Sequence, residues 1–215
     1  MQGSHLVYFA DPMCSWCWGF SPVIEAIRAR FGDTLPIRLV LGGLRPGTET
    51  EMDAGDRAEV RSHWEHVHEA SGQPFDFRFF ERSHFVYDTE PASRAVVVMR
   101  RLGMDVGLAA LKRVQAAFYA ENLDVTDAAT LAILAAELGM DTEAFRADFG
   151  SETSIRETWR DFQIAQSAGV RGFPTLIAGA GDEGRYALVT HGFQPAARIL
   201  PALERWFETV KEGQA

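Results

Sequence analysis

Strand, helix and strand signals follow one another within about 35 residues at the start of the chain, and that order leaves few folds open. Leu6-Val7-Tyr8-Phe9-Ala10 is an apolar run rich in strand-forming residues, and Asp11-Pro12 is turn chemistry that ends it. From Cys17 onward Ile24, Ile27 and Phe31 recur at helical spacing, Glu25, Arg28 and Arg30 fall on other faces, and Gly32 supplies a stop. Pro22 lies inside this helix, where its ring opposes the Trp18 carbonyl and predicts a kink. Ile37 to Leu41 reads as a second buried strand, ended by Gly42-Gly43. Two strands joined through a helix suit a right-handed parallel βαβ unit, so the opening commits the chain to an α/β sheet.

The two cysteines of the chain, in Cys14-Ser15-Trp16-Cys17, sit at the first of those junctions. A thiolate at a helix start faces unsatisfied backbone N–H groups and the positive end of the helix dipole, and both favour S⁻. A second thiol one turn on can release a mixed disulfide trapped on the first. The alternatives are a pair of small core residues or half of a zinc site. Zinc needs two more ligands, and His63, His66 and His68 have little beyond helical spacing to recommend them, so an exposed polar helix face accounts for them more simply. No metal is expected.

From Asp53 to Gly169 the clear periodicity is helical. Asp88-Thr89-Glu90-Pro91 opens one helix, and Leu111, Val114 and Phe118 stripe the next. Thr126 can cap a third that Gly139 ends, Asp141 a short fourth ending near Gly150, and Ser151 another that Ala168-Gly169 closes. Ile155, Trp159 and Phe162 are spaced for one face of that last helix, and Arg100-Arg101 is read as a solvated helix end. After it, Val170 to Pro174 is a loop, and Thr175–Ala178 and Tyr186–Thr190 make a β-hairpin across the Gly-rich turn 179–184. Pro195 to Val210 forms a final helix with Ile199, Leu203, Trp206 and Val210 on one face.

The net charge of −9 argues against a nucleic-acid partner. No stretch reaches the roughly 18 consecutive apolar residues of a membrane span, and Met1-Gln2-Gly3-Ser4-His5 resembles neither a signal nor a transit peptide, so the expected compartment is the cytoplasm. In a reducing compartment cysteines at this spacing are catalytic or metal-binding more often than structural.

Asp11-Pro12-Met13-Cys14-Ser15-Trp16-Cys17-Trp18 and Gly169-Val170-Arg171-Gly172-Phe173-Pro174-Thr175 together resemble the thioredoxin superfamily, and within it the cytoplasmic DsbA-like branch that includes FrnE-type proteins. The resemblance spans nearly the whole chain. It implies a thioredoxin-like fold, a central mixed sheet flanked by helices, formed by residues 1–50 and 170–215, with an inserted all-helical subdomain at 51–169. It also implies that Cys14 is the nucleophile and Cys17 the resolving thiol, and that Phe173-Pro174 is a cis peptide bond opposite them. Ser15-Trp16 stands where DsbA has Pro-His, so the charge a histidine adds beside the thiolate is missing, and a thiolate less stabilised than in DsbA is expected.

Around the pair, Trp16 is expected to line the site with Ser15, whereas Trp18 is equally well read as packing. Phe173 and Pro174 would offer a backbone edge to an extended substrate. Asp11 is a candidate proton acceptor for Cys17, although a turn-forming role is favoured. The aromatic run Phe75, Phe77, Phe79, Phe80, Phe85 and Tyr87 is read as core between the two subdomains rather than a groove.

The function these features imply is a thiol–disulfide oxidoreductase or disulfide isomerase. It would act on disulfide- or thiol-containing proteins or small molecules without a bound cofactor, and glutathione or a thioredoxin-type system would be its reductant. The runner-up is a glutathione-dependent transferase or isomerase of the kappa-class or 2-hydroxychromene-2-carboxylate isomerase type, which share the layout but commonly carry serine where Cys14 stands. A non-enzymatic binding or chaperone module is the third reading.

Overall fold

The computed structural model describes residues 3–181 and 185–212. Its elements run β1 (His5–Ala10), α1 (Ser15–Phe31), β2 (Ile37–Leu41), α2 (Ala54–Ser71), α3 (Glu90–Arg100), α4 (Met104–Tyr119), α5 (Ala128–Glu137), α6 (Thr142–Phe149), α7 (Glu152–Ser167), β3 (Thr175–Ala180), β4 (Arg185–His191) and α8 (Ala196–Glu212). The strands form one mixed sheet in the order β2-β1-β3-β4, with β1 parallel to β2 and antiparallel to β3. β3 and β4 form the expected hairpin. Residues 182–184 of its turn, and residues 1–2 of the N-terminal segment, lie outside the described residues.

Both faces of the sheet are buried, which is why β1 is apolar without alternation. Leu6, Tyr8 and Ala10 point into the large core shared with α1, while Val7 and Phe9 point to the other face with Val40 and Ala165 of α7. Pro22 inside α1 cannot donate to the Trp18 carbonyl, and the side-chain amide of Gln73 replaces the missing bond at 3.0 Å.

The helices between β2 and β3 complete the sheet's edge. β2 is an edge strand, and its outward groups find partners on the insertion: Leu39 N–H reaches Met104 Sδ at 3.3 Å, Arg100 donates to the Leu39 carbonyl at 2.7 Å, and Leu41 N–H donates to Asp161 at 2.9 Å. Arg100 and Asp161 are themselves paired at 2.6 Å. An edge treated this way offers no ladder to another chain.

Several sequence expectations change here. Arg100 is not solvated, because it is bound to β2 and Asp161, whereas Arg101 is exposed at the end of α3 as expected and pairs there with Glu157 and Asp148. Asp127, not Thr126, caps α5 by accepting from Thr130 N–H, while Thr126 is turned to Asp124. The buried face of α7 is Ser154, Thr158, Asp161, Phe162 and Ala165, leaving Ile155 and Trp159 exposed. Polar residues make that face because two of them bond inward, so apolar periodicity misses it. The caps at Asp141 and Ser151 are as expected. The helix α7, grouped with the insertion on sequence, lies against β2.

Removing one partner of a buried pair leaves the other uncompensated. Asp161→Ala should therefore lower unfolding free energy by about 3–5 kcal/mol in urea titration. A loss below about 1 kcal/mol would show that β2 does not depend on this carboxylate.

Candidate active site

The cysteine loop is fixed before the helix begins. Asp11 is fully buried, and its two carboxylate oxygens accept from Met13 N–H at 2.8 Å and Leu44 N–H at 2.7 Å. The Asp11 carbonyl accepts from Cys14 N–H at 3.2 Å, and the Tyr87 hydroxyl donates to the Met13 carbonyl at 2.7 Å. Cys14 then occupies the N-cap of α1 in an extended conformation, with no side-chain cap bond, so its sulfur stands at the helix N-terminus.

Cys14 is nearly buried and Cys17 completely so; both are free thiols. The Cys14 thiol donates to the Phe173 carbonyl at 3.6 Å, and the Phe173–Pro174 peptide bond is cis. The neighbouring Pro174 carbonyl is taken by Gly192 N–H at 2.7 Å, so the Phe173 carbonyl is the one turned to the cysteines. Gly42 makes room for this loop: a Cβ there would lie 2.1 Å from the Phe173 ring. The sequence reading used Gly42 only as a strand stop, and nothing local in the sequence shows that a phenylalanine more than a hundred residues away needs the space.

Burial pushes the Cys17 thiol well above its ordinary range, and the hydrogen bond and charge of Cys14 push further in the same direction. Burial likewise raises the Asp11 carboxyl to about 6, against the opposing pull of the Leu44 and Met13 N–H groups and of Thr89.

A cavity of about 250 Å³ opens beside Cys14, lined among others by Met13, Ser15, Trp16, Arg45, His63 and Phe173. Ser15 and Trp16 are half-buried, and the Trp16 ring packs on Phe193 with centroids 5.8 Å apart. Trp18 is structural: its indole N–H donates to the Pro74 carbonyl at 3.0 Å and the side chain is buried. His63 reaches the cavity rim, whereas the His68 ring is bonded to the Gln73 carbonyl, 2.8 Å away. Among the described residues no three His, Cys, Asp or Glu side chains converge as metal ligands would.

The aromatic run packs around Trp64 of α2, which stacks on Phe79 at 5.0 Å and meets Phe75, Phe77, Phe80, Phe118 and Tyr119. Phe79, Phe85 and Tyr87 are core, whereas Phe75, Phe77 and Phe80 are half-buried and line an open cavity with Arg61, so the run is only partly the core expected; Tyr87 is the member that reaches the cysteine loop. Sequence reasoning placed Tyr87 with the packing residues and did not single out Leu44 or Arg45. Their signal lies in topology, which returns the segment after β2 beside the segment after β1.

This arrangement belongs to a thioredoxin-like sheet with a helical insertion. The chain is a member of the DSBA-like thioredoxin domain family, which matches residues 5–203. A putative protein disulfide isomerase from Nitrosomonas europaea superposes with a TM-score of 0.88 at 36% identity, over 97% of this chain and 99% of that one. The cytosolic disulfide reductase DsbM from Pseudomonas aeruginosa superposes with a TM-score of 0.73 at 28% identity, over 98% of each chain, and is also solved with GSH. Among curated relatives, the ClpXP adapter protein SpxH of Bacillus subtilis is 25% identical over 169 residues, which are 78% of this chain. This chain thus spans just over half (56%) of that relative's length. No helix among the described residues is long and apolar enough to cross a membrane.

The raised Asp11 pKa has a defined sign. The folded state holds the Asp11 proton more tightly than the unfolded chain, whose value is 3.8. The stability this group contributes is therefore complete below pH 3.8 and lost as pH rises through about 6. A rise of about two in pKa corresponds to about 3 kcal/mol. Stability of the wild type should fall relative to Asp11→Asn between those limits, and parallel pH profiles of the two proteins would contradict the assignment.

Proposed function

We propose that the protein is a thiol–disulfide oxidoreductase that works through Cys14 and Cys17, with disulfide reduction or isomerisation in the cytoplasm as its activity. The carrying observation is the asymmetry of the pair: Cys14 at the mouth of a cavity and on a helix N-terminus, Cys17 fully buried one turn beneath it. Membership of the DSBA-like family supports the same reading.

In this mechanism the Cys14 thiolate attacks a substrate disulfide; a Cys14–substrate S–S bond forms and the first substrate sulfur leaves as thiolate. Cys17 then loses its proton and attacks the Cys14 sulfur, the second substrate sulfur leaves with the bonding electrons, and Cys14–Cys17 becomes a disulfide. Phe173 and Pro174 would hold the substrate chain beside Cys14 through backbone contacts, with Ser15 and Trp16 forming the opposite wall. Asp11 serves chiefly to anchor the loop, since both its oxygens are engaged. The electrons reside in the cysteine pair, with no bound cofactor, and reduction of the oxidised pair is assigned to glutathione or a thioredoxin-type reductant. Arg45 at the cavity rim suits the carboxylates of glutathione, and the DsbM neighbour solved with GSH is consistent with that choice.

A glutathione transferase or isomerase would not need the second thiol. Equilibration in glutathione redox buffers should convert the wild type to a Cys14–Cys17 disulfide, with insulin reduction as the activity readout. Cys14→Ala should lose nearly all activity, and Cys17→Ala should still be attacked at Cys14 yet accumulate the mixed disulfide, seen as an adduct by mass. Full turnover in Cys17→Ala would favour the transferase, and unchanged function in Cys14→Ala would favour a binding module such as an adapter.

A further inference from the structure

A second polar cluster lies against Cys17, and the exchange chemistry above makes no use of it. Cys17 and Ser21 are one turn apart on α1, both buried. Tyr8 rises from β1 into the same core and its hydroxyl lies beside the Cys17 thiol; Gln115 comes in from α4. Tyr8, Ser21 and Gln115 are 1%, 6% and 1% exposed, and Tyr8 Oη, Ser21 Oγ and Gln115 Nε2 each lack a hydrogen-bond partner among the described residues. Native interiors rarely leave buried polar atoms dry, and three at one place point to a shared ligand.

The three residues line one cavity of about 10 Å³, close to the space a single water requires, and they supply the two to four polar partners such a water needs. Its outer wall is the Glu25–Lys112 pair, 3.3 Å apart, with side chains 42% and 50% exposed, so the cavity leads toward solvent.

We infer that one water held by Tyr8, Ser21 and Gln115 forms, with the Tyr8 hydroxyl, the route by which the Cys17 proton reaches solvent between Glu25 and Lys112 during resolution of the mixed disulfide. This rests on the redox reading above and adds its proton path. The Cys17 S–H proton passes to Tyr8 Oη while the Tyr8 proton passes to the water, and one proton is released at the surface. The Cys17 electron pair forms the S–S bond to Cys14, and the Cys14–substrate bond breaks with its pair on the leaving sulfur. No further reactant is required. Burial first, then the charges of Cys17 and Cys14, hold the Tyr8 phenol far above its ordinary range, so it relays a proton and does not act as a base. The other charged group close to Cys17 is Asp11, whose oxygens are taken by backbone N–H groups.

Stopped-flow reaction of the reduced protein with oxidised glutathione separates bimolecular attack by Cys14 from concentration-independent resolution by Cys17. In Tyr8→Phe, resolution should slow by about tenfold to a hundredfold and its solvent deuterium effect should grow, because proton removal becomes limiting. Gln115→Leu should slow the same phase. A crystal structure should place a water within hydrogen-bond distance of at least two of the three side chains. Resolution at the wild-type rate in Tyr8→Phe overturns the proposal, as does a dry cavity at high resolution. Slowing without a change in the deuterium effect also overturns it, because lost packing alone would do that. A wild type that forms no Cys14–Cys17 disulfide overturns the redox reading itself, and the proton path falls with it.

Discussion

The loops that leave β1 and β2 converge on one buried carboxylate. Asp11 accepts from the Met13 N–H of its own loop and from the Leu44 N–H of the other, and each is a charge-assisted bond worth about 1.5–3 kcal/mol. They offset part of the cost that burial imposes, and the rise of the carboxyl to about 6 is what remains. An amide side chain could accept only one of the two N–H groups and would turn a donor toward the other. The carboxylate therefore registers the Cys14 loop against Gly42 and Leu44, and Gly42 in turn seats the Phe173 ring beside Cys14. The charge of that carboxylate disfavours a Cys17 thiolate while a backbone hydrogen bond at Asp11 favours it, so burial and Cys14 carry the barrier against ionising the inner thiol.

The helical insertion and the sheet are one structural unit at β2. Met104, Arg100 and Asp161 meet the outward backbone groups of that strand, and Trp18 and Gln73 tie α1 to the segment after α2. Tyr87 reaches from the insertion to Met13. Through these contacts the insertion carries the cysteine loop from one side while the sheet carries it from below. A subdomain boundary drawn at the ends of helical periodicity cannot show this, because α7 lies within the insertion in sequence and packs against β2 in space.

The fold was legible from the chain because its signals are local: an apolar run ending at Asp11-Pro12, a helix stopped at Gly32, a hairpin around residues 179–184, and N-caps such as Asp141 and Ser151 whose side chains bond three residues on. The cysteine pair and the Phe173-Pro174 loop were legible through their motifs. What stayed hidden is non-local. Arg100 reads as a solvated charge until β2 supplies a carbonyl and α7 a carboxylate, and the polar stripe Ser154, Thr158, Asp161 reads as a surface until those groups find buried partners. Asp11 reads as a turn residue because Leu44, its second partner, lies 33 positions away.

The Ser15-Trp16 dipeptide brings no charge to the cysteines, so the difference between the two thiols must come from their surroundings. Trp16 packs on Phe193 and shields the helix start, while Ser15 and Trp16 together form one wall of the cavity beside Cys14. Cys14 stands at the helix N-terminus with its thiol on the Phe173 carbonyl; Cys17 is fully buried against Cys14. In the proposed exchange, attack would start from the helix terminus, whereas resolution would remove a proton from a site where burial, Cys14 and the Asp11 charge oppose a thiolate against the favourable pull of a backbone hydrogen bond at Asp11. With the inner thiol held as S–H by burial, the rate at which a mixed disulfide would be closed in the proposed reaction depends on how that proton is taken away. In the proposed reaction that dependence would give a second substrate thiol time to compete for the Cys14–substrate bond, the competition that separates isomerisation from net reduction.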